Sequence, residues 1–314
     1  MAAPAVDLAG RACAAERCVE AIEAIEQAVA FQPGDFRLFF RLGVCYSGCC
    51  RPHALVHPEL SVPYLRQALR LVGSDAGHAR AAVLDQLGNA LLQRARTEGA
   101  ESLRDAIETH LAAAEAFRSL GQIDDWARVQ FNIGNSYCNL SETTGENHWR
   151  RAVEAYEKTL LVRTRSRDPE RCAAALENLG TAWRQAGDAR KSIQCLHRAL
   201  RISVLLGSTP KCADLHNNLG NAFLSLPAMT ARNALRALRH FDRALNLQAQ
   251  DAFSRAYGIT QYNCAQAHIR LARLSGAGDF QPALKCLHEA SRAFHSCGEQ
   301  RFDQLIRTQL ERFG

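Results

Sequence analysis

The chain has 314 residues, 47% of them hydrophobic and 22% charged, a composition typical of folded globular proteins and not of disordered ones. Its formal charge of +6 arises from 38 basic residues dispersed among 32 acidic ones, so no basic block indicates nucleic-acid binding. No apolar run approaches the roughly 18 residues that a membrane-spanning helix requires, and the N-terminal stretch lacks a signal-peptide pattern. We therefore expect a soluble, cytoplasmic protein that binds neither nucleic acid nor membranes.

The first part of the chain predicts one helix pair. Residues 16–31 carry apolar side chains at helical spacing and end at the turn Gln32-Pro33-Gly34. A shorter helix over Val6–Ala15 would precede them. The twelve cysteines of the chain are scattered through helical patterns of this kind. We expect them to be reduced thiols that act as small apolar residues, and not disulfides.

A glycine motif then recurs along the chain, and its clearest copy is Phe131-Asn-Ile-Gly-Asn-Ser-Tyr137. We take the glycine, or an alanine in its place, as the mark of each copy. The marks are Gly43, Gly88, Gly134, Gly180, Gly220 and Ala265, at intervals of 40 to 46 residues. A fixed period in this range is typical of a solenoid, in which identical helical units stack side by side.

Each repeat follows one plan. A first helix contains the mark, a turn follows, and a second helix carries a small residue 19 to 25 positions after the mark. These small residues are Ala68, Ala113, Thr159, Ala199, Ala244 and Ala290. Glycine at the mark allows the second helix to approach the first closely. The additional residues of the long repeats, such as Ser141–Gly145, favour longer helices joined by slightly longer loops.

Large aromatic residues recur three positions after the mark, where we expect them in the core. They are Tyr46, Tyr137, Trp183 and Phe223. After the last repeat, Glu299–Phe313 predicts one more amphipathic helix. The final repeat of a stack needs a cover for its open apolar face, so we assign this segment as the C-terminal capping helix over residues 299–314.

These repeats resemble the long tetratricopeptide repeats (TPR) of bacteria that are found beside caspase-like CHAT peptidase domains. The resemblance rests on Asn217-Asn-Leu-Gly-Asn-Ala-Phe223, the connection Thr164–Glu170 and the segment Arg151–Lys158, and it covers about residues 16–298. It implies a single all-α, TPR-type α-solenoid over residues 1–314, a right-handed superhelix of about seven antiparallel helix pairs. It also implies an array that binds proteins or peptides in a groove lined by the first helices. The chain has no room for the CHAT peptidase domain itself.

Asparagines recur in the first helices beside the mark. They are Asn132, Asn178, Asn218 and Asn263, two positions before it, and Asn89, Asn135 and Asn221, one position after it. An amide offers donors and an acceptor, as the backbone of an extended peptide does, so these residues would form a ladder for a bound peptide. The alternative, with equal weight, is that they bond to neighbouring helix ends or turns.

The residues three positions before the mark would face the same groove and select the side chains of the peptide. They are Phe40, Asp85, Phe131, Glu177, Asn217 and Tyr262. The predicted peptide-binding groove therefore consists of the seven asparagines together with Phe131, Glu177 and Tyr262.

Two patterns of cysteine and histidine residues contain side chains that can bind metal or take part in catalysis. Thiols and imidazoles in the first long turn could bind zinc, although their spacing matches no zinc module, and we assign no metal to them. These residues are Cys45, Cys49, Cys50, His53 and His57. Cys195 with His197, and Cys286 with His288, recur in register in second helices, which favours packing over a catalytic pair.

The sequence contains no glycine-rich phosphate loop, nucleophile elbow or paired-histidine zinc motif. We therefore expect a protein that is not an enzyme and that needs no cofactor. The predicted function is a scaffold or adaptor that binds a protein or an extended peptide. The alternative is a regulatory partner that inhibits or activates a separate peptidase or signalling enzyme.

Overall fold

The structure, a computed structural model, describes residues 18–47, 57–251, 254–276 and 278–311. Within these ranges it contains fourteen α-helices, one short 3₁₀ helix and no strand, so the all-α prediction is confirmed. The predicted helix over Val6–Ala15 lies outside the described residues. None of the helices in the described ranges is long and apolar enough to cross a membrane.

The chain divides into two compact units, Met1–Val162 and Arg163–Gly314, here called the N-terminal unit and the C-terminal unit. A single domain over residues 1–314 therefore stays a prediction. In the N-terminal unit the structure describes seven helices: α1 (Cys18–Phe31), α2 (Phe36–Tyr46), α3 (Pro58–Leu71), α4 (Gly77–Glu98), α5 (Ala100–Ser119), α6 (Ile123–Thr144) and α7 (Trp149–Val162).

The C-terminal unit has seven described helices as well: α8 (Pro169–Gln185), α9 (Ala189–Leu205), α10 (Thr209–Leu224), α11 (Ala231–Leu247), α12 (Arg255–Ser275), α13 (Gln281–Ser296) and α14 (Gln300–Glu311). The 3₁₀ helix Ala249–Asp251 lies between α11 and α12. In both units each helix packs against the next one along the chain, and first helices also contact one another, as α8 does α10 and α10 does α12.

The marks lie where the two helices of a pair come closest. A Cβ atom added to the glycine at any mark would lie under 3.0 Å from a large side chain of the second helix. The side chains that cover Gly43, Gly88, Gly134, Gly180 and Gly220 are Leu65, His110, Tyr156, Leu196 and Phe241, respectively. At the sixth mark, Ala265 packs with Leu287. The predicted small second-helix residues are all buried.

In the repeats of α4 and α6 the additional residues lengthen the first helix, as expected, whereas the loop that follows α4 is not longer. Helices α4 and α6 have 22 residues each, whereas α8 has 17. In α4 the ion pair Arg94–Glu98, at 2.8 Å and one helical turn apart, stabilises the extension. Only Gly99, whose φ of +74° ends the helix, separates α4 from α5.

The predicted aromatic core residues divide into two groups. Trp183 and Phe223 are buried, as expected. Tyr46 and Tyr137 are half-buried at the edges of their clusters. The phenol hydroxyl of Tyr46 donates to Glu26 at 3.2 Å, and its ring stacks on Tyr64 with centroids 5.7 Å apart. A tyrosine keeps its hydroxyl near a partner or water, which explains the intermediate position.

Helix α14 packs against α13 of the last helix pair, and its capping role stays a prediction. Ile306 is 1% exposed and packs in one cluster with Leu287, Ala290 and Phe294. The side chain of Gln309 donates from Nε2 to the hydroxyl of Tyr262 at 3.2 Å. Without this helix the apolar side of α13 would face water.

Candidate peptide-binding surface

In the N-terminal unit, two of the predicted asparagines bond to each other between neighbouring first helices. Nδ2 of Asn132 on α6 donates to Oδ1 of Asn89 on α4 at 2.9 Å. The same oxygen lies 3.2 Å from Nε2 of His110, the side chain that covers the mark of α4. Both amides are half-buried. This contact joins the side chains of two first helices and involves neither a helix end nor a turn.

An ion pair lies beside these amides. Arg128 of α6 pairs with Asp85 of α4 through Nη1 and with Asp125 through Nη2 at 2.9 Å. Asp85 is 1% exposed, and this burial raises the pKa of its carboxyl group, against the attraction of Arg128. The carboxylate is thus held inside the helix stack and not presented to a partner.

Tyr156 of α7 fixes two further residues of the predicted groove. Its hydroxyl donates to Oδ1 of Asn135 at 2.8 Å. The ring of Phe131 meets that of Tyr156 edge to face, with centroids 5.6 Å apart. Because Tyr156 itself is 1% exposed, Phe131 and Asn135 lie against the contact between α6 and α7.

In the C-terminal unit, a carboxylate lies at the centre of the predicted surface. Nδ2 of Asn218 on α10 donates to Oε1 of Glu177 on α8 at 3.2 Å, and Nζ of Lys211 lies 3.6 Å from Oε2. Burial raises the pKa of Glu177, and Lys211 opposes that effect. The three side chains form what is here called the Glu177 cluster.

Beside this cluster lies a cleft of about 290 Å³ that is lined by charged, hydroxyl and apolar side chains. It is lined by Glu170, Ala173, Ala174, Glu177, Ser203, Leu206, Ser208 and Lys211. Four of these residues come from α8, and the others come from the end of α9, the turn after it and the start of α10. Ser208 is the N-cap residue of α10, but its hydroxyl makes no capping hydrogen bond to the helix.

The pattern of contacts continues from α10 to α12. Nδ2 of Asn263 donates to Oδ1 of Asn217 at 3.0 Å. One repeat earlier, Nδ2 of Asn218 donates to Glu177 in the same way. Tyr262 is half-buried and accepts the bond from Gln309 described above. Asn178 and Asn221, also half-buried, lie on α8 and α10. At α10 and α12 the residue two positions before the mark thus bonds to the residue three positions before the previous mark, whereas Asn132 of α6 bonds to Asn89, one position after the previous mark.

The cysteine and histidine patterns of the sequence lie partly within the described residues. Cys49, Cys50 and His53 lie outside the described residues, while Cys45 is buried and Nδ1 of His57 pairs with Glu59 at 2.7 Å. In the second helices, Cys195 is buried and His197 is exposed. Residues two apart on a helix do not face each other, so these cysteines and histidines do not form pairs.

Some residues of this surface were missed from the sequence. Lys211 lies one and two helical turns before Asp214 and Asn218, so the periodicity of α10 placed all three on one face. Arg128, three residues before Phe131, likewise shares a face with the predicted groove residues of α6. Charged residues on the face of the asparagines were the signal that could have identified both.

No protein-family profile and no curated protein matches this chain. Solved structures do: the apo form of RapI superimposes with a TM-score of 0.64 at 12% identity, over 95% of this chain and 99% of RapI. The C-terminal part of a TPR repeat-containing protein from Cytophaga hutchinsonii gives 0.60 at 15% identity, over 92% and 98%. BtubC from P. vanneervenii gives 0.53 at 20% identity, over 77% and 89%.

Similarity at these identities defines the fold. The chain has an all-α, TPR-type α-solenoid fold, as the sequence predicted.

Proposed function

We propose that this protein is a non-catalytic scaffold of the cytoplasm, and that its C-terminal unit binds an extended segment of a partner protein along α8, α10 and α12. The observation that carries the proposal is the Glu177 cluster with its adjacent cleft. Solenoids commonly bind partners on an extended face built from successive repeats.

The chemistry of this face suits a peptide backbone. An asparagine amide has two N–H groups and an oxygen with two lone pairs, so the single bonds of Asn218 and Asn263 leave further donors and acceptors. Groups of both kinds, repeated on neighbouring helices, match the alternating N–H and C=O groups of an extended chain.

The cleft supplies a place for one side chain of the bound segment. Ala173, Ala174 and Leu206 give it an apolar wall. Two carboxylates, of Glu170 and Glu177, face the single ammonium group of Lys211, so the lining favours a side chain with a long apolar stem and a basic end.

Capture from the native cytoplasm tests this proposal. The full chain, a double variant Asn178→Ala with Asn218→Ala, and a control Gln194→Ala with Asn246→Ala are each used as bait, and the bound proteins are identified. The control removes exposed side-chain amides of the second helices α9 and α11. Circular dichroism establishes that all three proteins are folded.

We expect a partner that the wild type and the control retain and the Asn178/Asn218 variant loses. Equal recovery with all three baits contradicts the amide surface. A captured peptidase or signalling enzyme whose activity changes on binding would make the protein a regulator of that enzyme, acting through the same surface.

A further inference from the structure

Three side chains of the types that bind metal ions meet between α12 and α13, outside the surface described above. They are Cys264 and His268 of α12 and Cys286 of α13. One ligand atom from each residue, the two Sγ atoms and one imidazole nitrogen, lie within 4.8 Å of one another. Cys264 and His268 are four residues apart, so both side chains lie on the face of α12 that meets α13.

The distances are close to those of a tetrahedral zinc site. Zinc binds sulfur at about 2.3 Å and nitrogen at about 2.0–2.1 Å, which places the ligand atoms roughly 3.5–3.8 Å apart. The ligand atoms lie within 4.8 Å of one another, so they must approach by at most about 1.3 Å to reach this geometry, a shift that side-chain rotation can supply. Two thiolates and one imidazole are a common ligand set for zinc, with water or a fourth side chain completing the coordination.

The surroundings are consistent with a metal site. Cys264 is 2% exposed and lies in an apolar cluster with Phe223, Leu238 and Phe241. His268 and Cys286 are half-buried, so solvent reaches these two ligands.

We propose that Cys264, His268 and Cys286 bind one Zn²⁺ ion between α12 and α13. On binding, each thiol releases its proton to solvent and the neutral imidazole keeps its remaining N–H. A water molecule supplies the fourth ligand. The ion would join two helices of the last repeat and thereby stabilise that end of the C-terminal unit.

Metal analysis of the full chain tests the site. Protein purified in reducing buffer is stripped with a chelator, dialysed against zinc chloride and freed of unbound ion. We expect one zinc ion per chain by mass spectrometry and a higher melting temperature than that of the stripped protein. Replacement of zinc by Co²⁺ should give a thiolate-to-cobalt charge-transfer band and the intense visible bands of a tetrahedral site.

Variants assign the ligands. Cys286→Ser and His268→Gln should each weaken zinc binding by more than the roughly 10- to 100-fold that loss of an outer-shell partner causes. The exposed thiol variant Cys297→Ser should bind as the wild type does. The double variant Cys49→Ala with Cys50→Ala should do so too, because it removes only the thiols of the first long turn.

The proposal is overturned if the wild type binds no zinc in reducing buffer or gives no cobalt–thiolate band. It is equally overturned if zinc survives Cys286→Ser and His268→Gln but is lost from the Cys49/Cys50 variant. The cobalt spectrum is measured on the wild type, so it decides the question even where a ligand variant fails to fold.

Discussion

At the residue scale, the glycine of each mark is needed because of the side chain opposite it. In the pair α10 and α11 the ring of Phe241 is fully buried and occupies the space that a side chain at Gly220 would need. Protein interiors are close-packed, so neither the ring nor the helix can move away without loss of contacts elsewhere.

Gly220→Ala should therefore destabilise the protein by about 1–3 kcal/mol, the usual cost of overpacking a core. The added Cβ would lie under 3.0 Å from atoms of the Phe241 ring. Denaturant unfolding followed by circular dichroism measures the difference. Gly73→Ala is the matched control, since nothing lies within 4 Å of its added Cβ. Equal stability of the two variants would contradict the packing role of the mark.

His110, which covers the mark of α4, makes stability depend on pH. It is fully buried, and burial, helped by the charge of Arg128, lowers its pKa from 6.5 to about 4. The unfolded chain binds the proton near pH 6.5 and the folded chain does so only near pH 4. The contribution is thus complete above pH 6.5 and is lost as the pH falls to about 4, on the order of 3 kcal/mol.

We expect the free energy of unfolding to fall less between pH 7 and about pH 4 in His110→Gln than in the wild type. Urea unfolding of both proteins at several pH values gives the comparison, and carboxylates, which also titrate in this range, contribute equally to both. Parallel pH profiles would show that the buried imidazole is not responsible.

At the scale of elements, we expect the C-terminal helix α14 to cover the last repeat. Ile306 is 1% exposed, whereas its neighbour Leu305 is 49% exposed on the same helix. Ile306→Ala should cost about 2–5 kcal/mol of stability, because it leaves a cavity between α13 and α14. Leu305→Ala should cost much less. Similar losses from both variants in thermal or denaturant unfolding would mean that α14 does not cover α13.

The repeat pattern predicted the helices well because glycine and alanine marks depend only on local spacing. It predicted which helix carries each mark and which small residues are buried. It did not predict the residue that covers the mark, although that residue always lies three positions before the small one, as Tyr156 precedes Thr159. The side chains there differ in type, since a leucine, a histidine or a ring can fill the same space.

Contacts between helices explain why the sequence did not predict which side chains meet. The sequence favoured a packing role for Cys286, and it gave no sign that the thiol of Cys286 lies within 4.8 Å of ligand atoms of Cys264 and His268 on the neighbouring helix. Likewise Lys211 reaches Glu177 across two first helices. Such pairs depend on the register between helices, which a single sequence does not contain.

At the scale of the whole molecule, two compact units of similar helix pairs differ in what their first helices present. In the N-terminal unit the polar residues Asp85, Asn89 and Asn132 are engaged with Arg128, with His110 and with one another. In the C-terminal unit the Glu177 cluster borders a cleft. This difference is why we place partner binding in the C-terminal unit.

The affinity of the captured partner for purified protein tests this central claim most directly. Calorimetric titration with the wild type, the Asn178/Asn218 variant and the Gln194/Asn246 control gives three dissociation constants. Loss of two hydrogen-bonding amides should weaken binding about tenfold or more in the Asn178/Asn218 variant, with no change in the control. Unchanged affinity in the Asn178/Asn218 variant, with the fold intact, would contradict the account.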